Sequence, residues 1–376
     1  MARARDTDAC PGALQVHQAA DGALARIRLP GGMITAAQLA ALARVSTEFG
    51  SGTLELTARG NVQLRGISDV TAAARGVAGA GLLPSVTHER VRNVVASPLS
   101  GRSGGRRDVR PWVGELDSAI CAEPSLAELG GRFWFSLDDG RADVSGLRAD
   151  VGVHVLDDGC ALLLAGHDSG IRLAAREVVD TLVGIARRFL EIRGSAWRVN
   201  ELDDIGDLLP GAQPGAAPFV AATKGPVGWI PQADGRIALG AALPLGVLPA
   251  GTAEYLAAIE APLVITPWRS VLVCDLSEEV ADVTLRVLAP LGLVFDENSA
   301  WLNVSACAGR PGCSRSAADV RADAALSLGA DAGVHRHFVG CERACGSPPA
   351  GEVLVATGDG YRLLRRGGSP PGGQLW

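Results

Sequence analysis

The chain has 376 residues, of which 47% are hydrophobic and 20% charged, and its formal net charge is −6. This length suits two or three ordinary domains with ample core, and the negative balance gives no indication of a nucleic-acid partner. Because there is neither a run of 18 apolar residues nor a signal-peptide pattern at the N-terminus, we expect a cytoplasmic protein that does not enter a membrane.

The first 80 residues predict the order β-α-β-β-α, which is typical of a ferredoxin-like half domain. The first helix is indicated by Thr35-Ala-Ala-Gln38, which has the form of a capping box, and by apolar residues at helical spacing up to Gly50. The predicted elements are a strand at 24–29, this helix, strands at 53–57 and 62–65, and a helix at 69–80.

The region that follows is mixed in character. Apolar patterning predicts strands near 132–137, 151–155 and 161–165 and then a helix at 174–192. A stretch rich in glycine and proline at 209–228 has the composition of a linker.

An internal repeat organises the chain. Arg26-Ile-Arg-Leu29 returns as Arg236-Ile-Ala-Leu239, and Arg92-Asn-Val94 returns as Leu302-Asn-Val304, with an offset that stays between 209 and 211 residues. So long a period indicates two fused copies of a domain pair rather than a solenoid. We therefore predict an α+β fold with a pseudo-twofold repeat. The expected domains are a ferredoxin-like half domain at 1–85, a mixed α+β domain at 86–208, a linker and second ferredoxin-like half domain at 209–298, and a second mixed α+β domain at 299–376.

Four cysteines form two pairs near the C-terminus, Cys307-x5-Cys313 and Cys341-x3-Cys345. The spacing differs from a typical structural zinc site and from the Cys-x2-Cys runs of bacterial ferredoxins. It favours four thiolates that converge from two turns on one [4Fe–4S] cluster, while a zinc site and buried apolar cysteines remain alternatives. The matching region of the first copy has serines, including Ser97, so we expect a single cluster.

Several segments together resemble the sirohaem sulfite and nitrite reductase family, in the same order and over nearly the whole chain. They are Arg28-Leu-Pro-Gly-Gly-Met-Ile-Thr35, Leu56-Thr-Ala-Arg-Gly-Asn-Val-Gln-Leu-Arg-Gly66, Arg92-Asn93 and the two cysteine pairs. Within that family, Cys10-Pro-Gly-Ala-Leu14 and His337-Phe-Val-Gly-Cys-Glu-Arg-Ala-Cys345 are most similar to the aerobic cobalamin-pathway branch, the precorrin-3B synthases.

The resemblance implies a cleft that binds a tetrapyrrole by its carboxylate arms. It assigns Arg59 and Arg92 as carboxylate clamps, with Gln63 beside them, and ranks Arg65 and Arg269 lower. Reductases of the family tend to have two basic residues on one strand face for their anionic substrate, whereas this chain has Arg132 and Trp134. An indole ring suits packing on a macrocycle and cannot neutralise an anion. The implied substrate-binding residues are Arg59, Gln63, Arg92, Arg132 and Trp134, and the implied cluster ligands are Cys307, Cys313, Cys341 and Cys345.

The reaction implied by the branch is oxygen-dependent monooxygenation of precorrin-3A, with hydroxylation at C-20 and closure of a γ-lactone. By family analogy we expect a mononuclear non-haem iron in addition to the cluster, and no catalytic residue is assigned. His335 and His337 are candidate iron ligands, but a surface pair is the preferred interpretation, since side chains at i and i+2 share a side only in an extended segment. Because Gly101-Arg-Ser-Gly-Gly105 lacks the dinucleotide spacing, electrons must come from an external donor protein or reductase.

Two other functions stay open. The first is a sirohaem-dependent nitrite or sulfite reductase. The second is a non-catalytic iron–sulfur protein that transfers electrons or binds tetrapyrroles.

Overall fold

A computed structural model of the chain describes residues 8–213, 219–222, 224–329 and 333–365. It has the predicted α+β architecture, arranged as four sheets with helices packed against them. No helix in this described part of the chain is long and apolar enough to cross a membrane.

The first half domain has the predicted order. The capping box is confirmed: Thr35 Oγ accepts a hydrogen bond from the Gln38 backbone N–H at 3.2 Å, and the Thr35 N–H donates to Gln38 Oε1 at 3.0 Å. The first helix buries Leu39 and Leu42 completely. The elements are β1 (His17–Ala19), β2 (Gly22–Ile27), β3 (Met33–Ile34), α1 (Ala36–Phe49), β4 (Thr53–Leu56), β5 (Val62–Ile67) and α2 (Val70–Gly79).

The second half domain repeats this order. Its elements are β11 (Gly228–Pro231), β12 (Ile237–Ala242), β13 (Val247–Pro249), α5 (Ala250–Ala257), β14 (Leu263–Ile265), β15 (Ser270–Leu276) and α6 (Glu278–Leu288). The two copies exchange a strand: the first sheet has the order β1-β2-β5-β4-β13 and the other has the order β11-β12-β15-β14-β3. Because each copy completes the other's sheet, the half domains share one hydrophobic core.

Gly32 makes the strand exchange sterically possible. Its φ is +69°, and a Cβ added there would lie 1.9 Å from the Ile265 carbonyl oxygen on β14. We expect Gly32→Ala to lower the free energy of unfolding by roughly 3–5 kcal/mol, because backbone strain adds to a clash with a main-chain atom. Urea unfolding would measure this. Gly52→Ala is the matched control, since Gly52 has a φ of +72° with open space around it. Equal losses in the two variants would contradict the steric explanation.

Each half domain is followed by a reductase-type domain, and the two domains have matching sheets. The first contains β6 (Val94–Ala96), α3 (Arg110–Ala122), β7 (Phe135–Asp138), β8 (Val151–Leu156), β9 (Gly159–Leu164), β10 (His167–Leu173) and α4 (Val178–Ile192). The second contains β16 (Val304–Ala306), α7 (Val320–Leu326), β17 (Arg336–Val339), β18 (Glu352–Thr357) and β19 (Gly360–Arg365). In both, three parallel strands are followed by an antiparallel one, β6-β7-β8-β9 and β16-β17-β18-β19.

The strand expected near 132–137 begins only at Phe135. The preceding residues are held by a side chain instead of a strand ladder. Asn93 Nδ2 donates to the carbonyl oxygens of Gly131 at 3.1 Å and Phe133 at 3.2 Å. Arg132 and Trp134 therefore lie on this fixed turn, and the expectation that they share one face of a strand was wrong.

Candidate functional site

The two cysteine pairs lie on loops that follow the parallel strands β16 and β17. The loops are fastened to each other by backbone hydrogen bonds. The Cys307 N–H donates to the Phe338 carbonyl at 2.9 Å, and the Ala317 N–H donates to the Gly340 carbonyl at 2.9 Å. The Gly340 N–H in turn points at Cys307 Sγ, 3.3 Å away. The carboxyl ends of adjacent parallel strands thus bring the loops of the two pairs together.

The four thiols are close enough for their charges to interact. Burial first, and then the nearby thiols of Cys307, Cys341 and Cys313, raise the pKa of Cys345 to about 11. Burial also raises the pKa of Cys307, to which Cys313 and Cys341 contribute. Thiolates that are costly to form in the free protein are typical of a site whose ligand supplies the compensating positive charge.

Within the described ranges, no three His, Cys, Asp or Glu side chains are placed to hold one metal ion. A tetrahedral zinc site would require such convergence. A cubane cluster binds each thiolate through a different iron, so this absence bears on a single-ion site and not on a cluster.

A second group of side chains lies beside these loops and is strongly cationic. The guanidinium groups of Arg26, Arg28 and Arg59 are mutually close: burial first, and then neighbouring arginines, lower the pKa of Arg28 and Arg59. Arg28 is 2% exposed; its Nε and Nη2 donate to backbone carbonyls, but its Nη1 has no hydrogen-bond partner among the described residues. A buried, unsatisfied donor among like charges indicates a place for an anion.

Thiols border this arginine cluster. Burial lowers the pKa of Arg26, whereas the nearby Cys10 and Cys345 thiols raise it. Since Cys345 belongs to the second cysteine pair, the arginine cluster and the cysteine loops adjoin each other. An anion bound by the arginines would lie next to any cluster held by the cysteines.

Two of the predicted substrate-binding residues meet at this arginine cluster. The Arg59 guanidinium carbon lies 5.6 Å from the centroid of the Trp134 ring, and Arg59 Nη1 donates to the Gly131 carbonyl at 3.2 Å. Trp134 is buried in a small apolar cluster that also contacts Trp268. The two side chains thus form a cation–π pair, with the Arg59 guanidinium over the Trp134 ring.

The other three predicted residues are engaged elsewhere. Arg92 makes a bidentate ion pair with Asp117, with both N–O distances at 2.7 Å. Gln63 accepts a hydrogen bond from Arg26 and donates to Glu55 at 3.2 Å, so it positions the Arg26 side chain. Arg132 lies over the Trp197 ring, 5.3 Å from its centroid. Their assignment as substrate contacts stays a prediction, and for Arg92 it would require displacement of Asp117.

The expectation that His335 and His337 form a surface pair was wrong. His337 is fully buried on β17, and both imidazoles contact Ser305 Oγ, at 2.8 Å from His335 Nε2 and 2.7 Å from His337 Nδ1. Burial lowers the pKa of His335 to about 4. His337 Nε2 faces the Cys345 carbonyl oxygen at 2.9 Å, so this nitrogen must carry the proton and donate. His337 is therefore hydrogen-bonded to the second cysteine loop, and Ser305 joins His335 to it.

The first copy has a polar cluster where the second has cysteines. Ser97 follows β6 as Cys307 follows β16, and its Oγ accepts from the Asp139 N–H at 3.1 Å and donates to Asp143 at 2.6 Å. Burial first, and then the charge of Asp138, raise the pKa of Asp143 to about 7, against the opposing effect of the hydrogen bond from Ser97. This half of the repeat thus replaces thiols with a hydroxyl and an acid.

The raised pKa of Asp143 predicts a pH-dependent stability. Between about pH 4 and pH 7 the folded protein keeps a proton on this carboxyl that the unfolded chain has lost, so stability should fall as the pH rises through that window. We expect Asp143→Asn to flatten the slope, as measured by urea unfolding at several pH values. Asp157→Asn, at an exposed site, should leave the slope as in the wild type. An unchanged slope in Asp143→Asn would refute the assignment.

Sequence reasoning missed Arg26, Arg28 and Arg198. Arg198 makes an ion pair with the fully buried Asp150 at 2.7 Å and lies near enough to Arg59 to lower its pKa. The available signal was Arg26-x-Arg28 at the end of a strand whose other positions are apolar. No local pattern distinguishes Arg198 from the many other arginines.

Comparisons with known proteins agree with this architecture. Residues 17–74 match the family described as nitrite/sulfite reductase ferredoxin-like half domain. The chain is 28% identical to a precorrin-3B synthase from Sinorhizobium sp, covering 96% of this chain and 83% of that protein. It is also 37% identical to a ferredoxin–nitrite reductase from Leptolyngbya laminosa, over 29% of this chain and 23% of that protein. The structure of the Mycobacterium tuberculosis NirA protein has the same fold, with a TM-score of 0.75, 21% identity and coverage of 93% of this chain and 77% of that one.

Proposed function

We propose that this chain, a member of the nitrite and sulfite reductase family that resembles precorrin-3B synthase over nearly its whole length, is an oxidoreductase of cobalamin biosynthesis. Its substrate would be precorrin-3A, a tetrapyrrole with acetate and propionate arms. One atom of dioxygen would enter as a hydroxyl at C-20, and the ring A acetate would close a γ-lactone. The second oxygen atom would leave as water, with two electrons from an external donor and two protons.

The observation that carries the proposal is the unpartnered Nη1 of Arg28 inside the arginine cluster. A buried guanidinium without a carboxylate partner is costly, and a substrate carboxylate would remove that cost through a charge-assisted hydrogen bond. Arg26 and Arg59 would hold neighbouring arms. The Trp134 ring would then pack against the macrocycle, which fixes the orientation of the substrate.

Cys307, Cys313, Cys341 and Cys345 would hold the [4Fe–4S] cluster. When bound, the cluster supplies single electrons to the adjoining pocket. The Gly340 N–H that points at Cys307 Sγ would stabilise the thiolate form of this ligand. A mononuclear non-haem iron is part of the proposal, but no residue is assigned to it.

The absorption spectrum and the turnover of anaerobically purified protein would test this function. We expect a broad absorption shoulder near 400 nm from the cluster and conversion of precorrin-3A to a product one oxygen atom heavier when electrons and dioxygen are supplied. Sharp Soret and alpha bands with nitrite or sulfite turnover would identify a sirohaem reductase instead. A cluster without turnover of either substrate class would identify an electron-transfer or tetrapyrrole-binding protein.

A further inference from the structure

Arg269 has a backbone conformation that its side chain makes unfavourable. Its φ is +58°, in the left-handed region, at the turn between β14 and β15. The repeat places Gly60 at the same turn of the first copy, with a φ of +66°. Glycine adopts this conformation freely, whereas other residues meet a steric penalty there. An arginine at such a position indicates that its side chain has a role.

Two glycines clear the path of this side chain. A Cβ added at Gly246 would lie 2.8 Å from Arg269 Cδ, and one added at Gly346 would lie 2.6 Å from Arg269 Nη2. Both glycines have positive φ, of +72° and +78°. Between them the guanidinium reaches the second cysteine loop, where Nη2 donates to the Gly346 carbonyl at 2.7 Å. His337 Nε2 lies 2.9 Å from the carbonyl just before it, that of Cys345.

In the part of the chain that the structure describes, no carboxylate forms an ion pair with Arg269. Burial lowers its pKa, whereas the nearby Glu55 carboxylate and then the Cys307 thiol raise it. Glu55 is itself paired with Arg321, so it compensates the charge of Arg269 only in part. Arg65 provides a contrast. It donates to the Gly312 carbonyl of the first cysteine loop at 2.7 Å, but Asp21 binds it at 2.9 Å and compensates its charge.

We infer that Arg269 is a positioning residue for the iron–sulfur cluster, which fixes the Cys345 loop and places one positive charge beside the cluster. This inference rests on the proposed cluster. A nearby cation stabilises the reduced cluster, which carries one more negative charge, and hydrogen bonding and net charge near a cluster are established determinants of its potential. Arg269 thus makes the cluster easier to reduce.

The test is an anaerobic redox titration of wild-type protein and Arg269→Gln, followed by electron paramagnetic resonance. We expect the variant to keep its iron and sulfide, to show a more negative midpoint potential and to change the signal of the reduced cluster. Arg269→Lys retains the charge and should stay nearer the wild-type potential. Arg286→Gln, which removes an exposed arginine of α6 paired with Asp282, is the matched control and should leave the potential unchanged.

The outcomes separate this inference from the proposed function. Wild-type protein without iron and sulfide would eliminate the cluster itself. A fully loaded Arg269→Gln with wild-type potential and signal would overturn the role of Arg269 alone. If Arg269→Gln binds no iron, the iron content of Arg269→Lys is the deciding measurement. An Arg269→Lys variant that binds iron with a potential near that of the wild type supports the role, and an Arg269→Lys variant that binds no iron overturns it.

Discussion

Cys313→Ser is expected to remove the iron–sulfur cluster. The Cys313 N–H donates to the Gly309 carbonyl at 2.8 Å, and the Cys313 carbonyl accepts from the Ser316 N–H at 3.1 Å, so the loop holds this side chain in a fixed place. Serine keeps the size and the loop bonds but offers a hard oxygen in place of a soft thiolate, which iron–sulfur clusters require. We expect iron and acid-labile sulfide to fall to near zero, together with the absorption near 400 nm.

Cys121→Ser is the matched control, because Cys121 is a partly exposed thiol on α3 in the first copy, which lacks the cysteine pairs. It should keep the iron, sulfide and absorption of the wild type. Full iron and sulfide in Cys313→Ser would exclude the four-cysteine assignment. Loss of both in Cys121→Ser as well would mean that the protein is sensitive to any loss of a thiol.

The sequence predicts those parts of the fold that local interactions determine. The capping box at Thr35 needs only residues three positions apart, and the repeat is visible because both copies retain the same order of elements. The strand exchange was not foreseen. Its strand β3 has only two residues, Met33 and Ile34, and its partner β14 is some 230 residues away in the chain, so no local pattern reveals the pairing.

In the candidate site, too, the sequence predicts the features that depend on neighbouring residues and not those that depend on distant ones. The cysteine pairs could be predicted because each loop brings two thiols together within a few residues, and Arg59 was indicated by its motif. The prediction for Arg92 did not foresee Asp117, which lies one helix further along the chain and already occupies the guanidinium fork. The unsatisfied Nη1 of Arg28 could not be found from sequence, since the lack of a partner among the described residues is a property of the folded environment.

Arg59→Ala should weaken binding of precorrin-3A, or of a stable carboxylated analogue, by about ten- to a hundredfold. A charge-assisted hydrogen bond contributes roughly 1.5–3 kcal/mol, and about 1.4 kcal/mol corresponds to a factor of ten in affinity. Arg59→Lys should not restore the affinity, because an ammonium cannot reproduce the bidentate fork or the stacking over Trp134. Titration followed through the absorption of the bound tetrapyrrole would measure these affinities, and the iron content should stay constant.

Arg92→Ala provides the comparison that separates a loss of substrate affinity from a loss of stability. Because both arms of Arg92 bind Asp117 inside the protein, its loss should lower the free energy of unfolding by roughly 3 kcal/mol and leave the affinity of the folded protein nearly unchanged. Destabilisation and weakened binding should therefore occur in different variants. If Arg59→Ala bound the tetrapyrrole as tightly as the wild type, the arginine cluster would not be its binding site. If Arg92→Ala lost affinity to the same degree as Arg59→Ala, the substrate would have to displace Asp117, and the pocket would extend to α3.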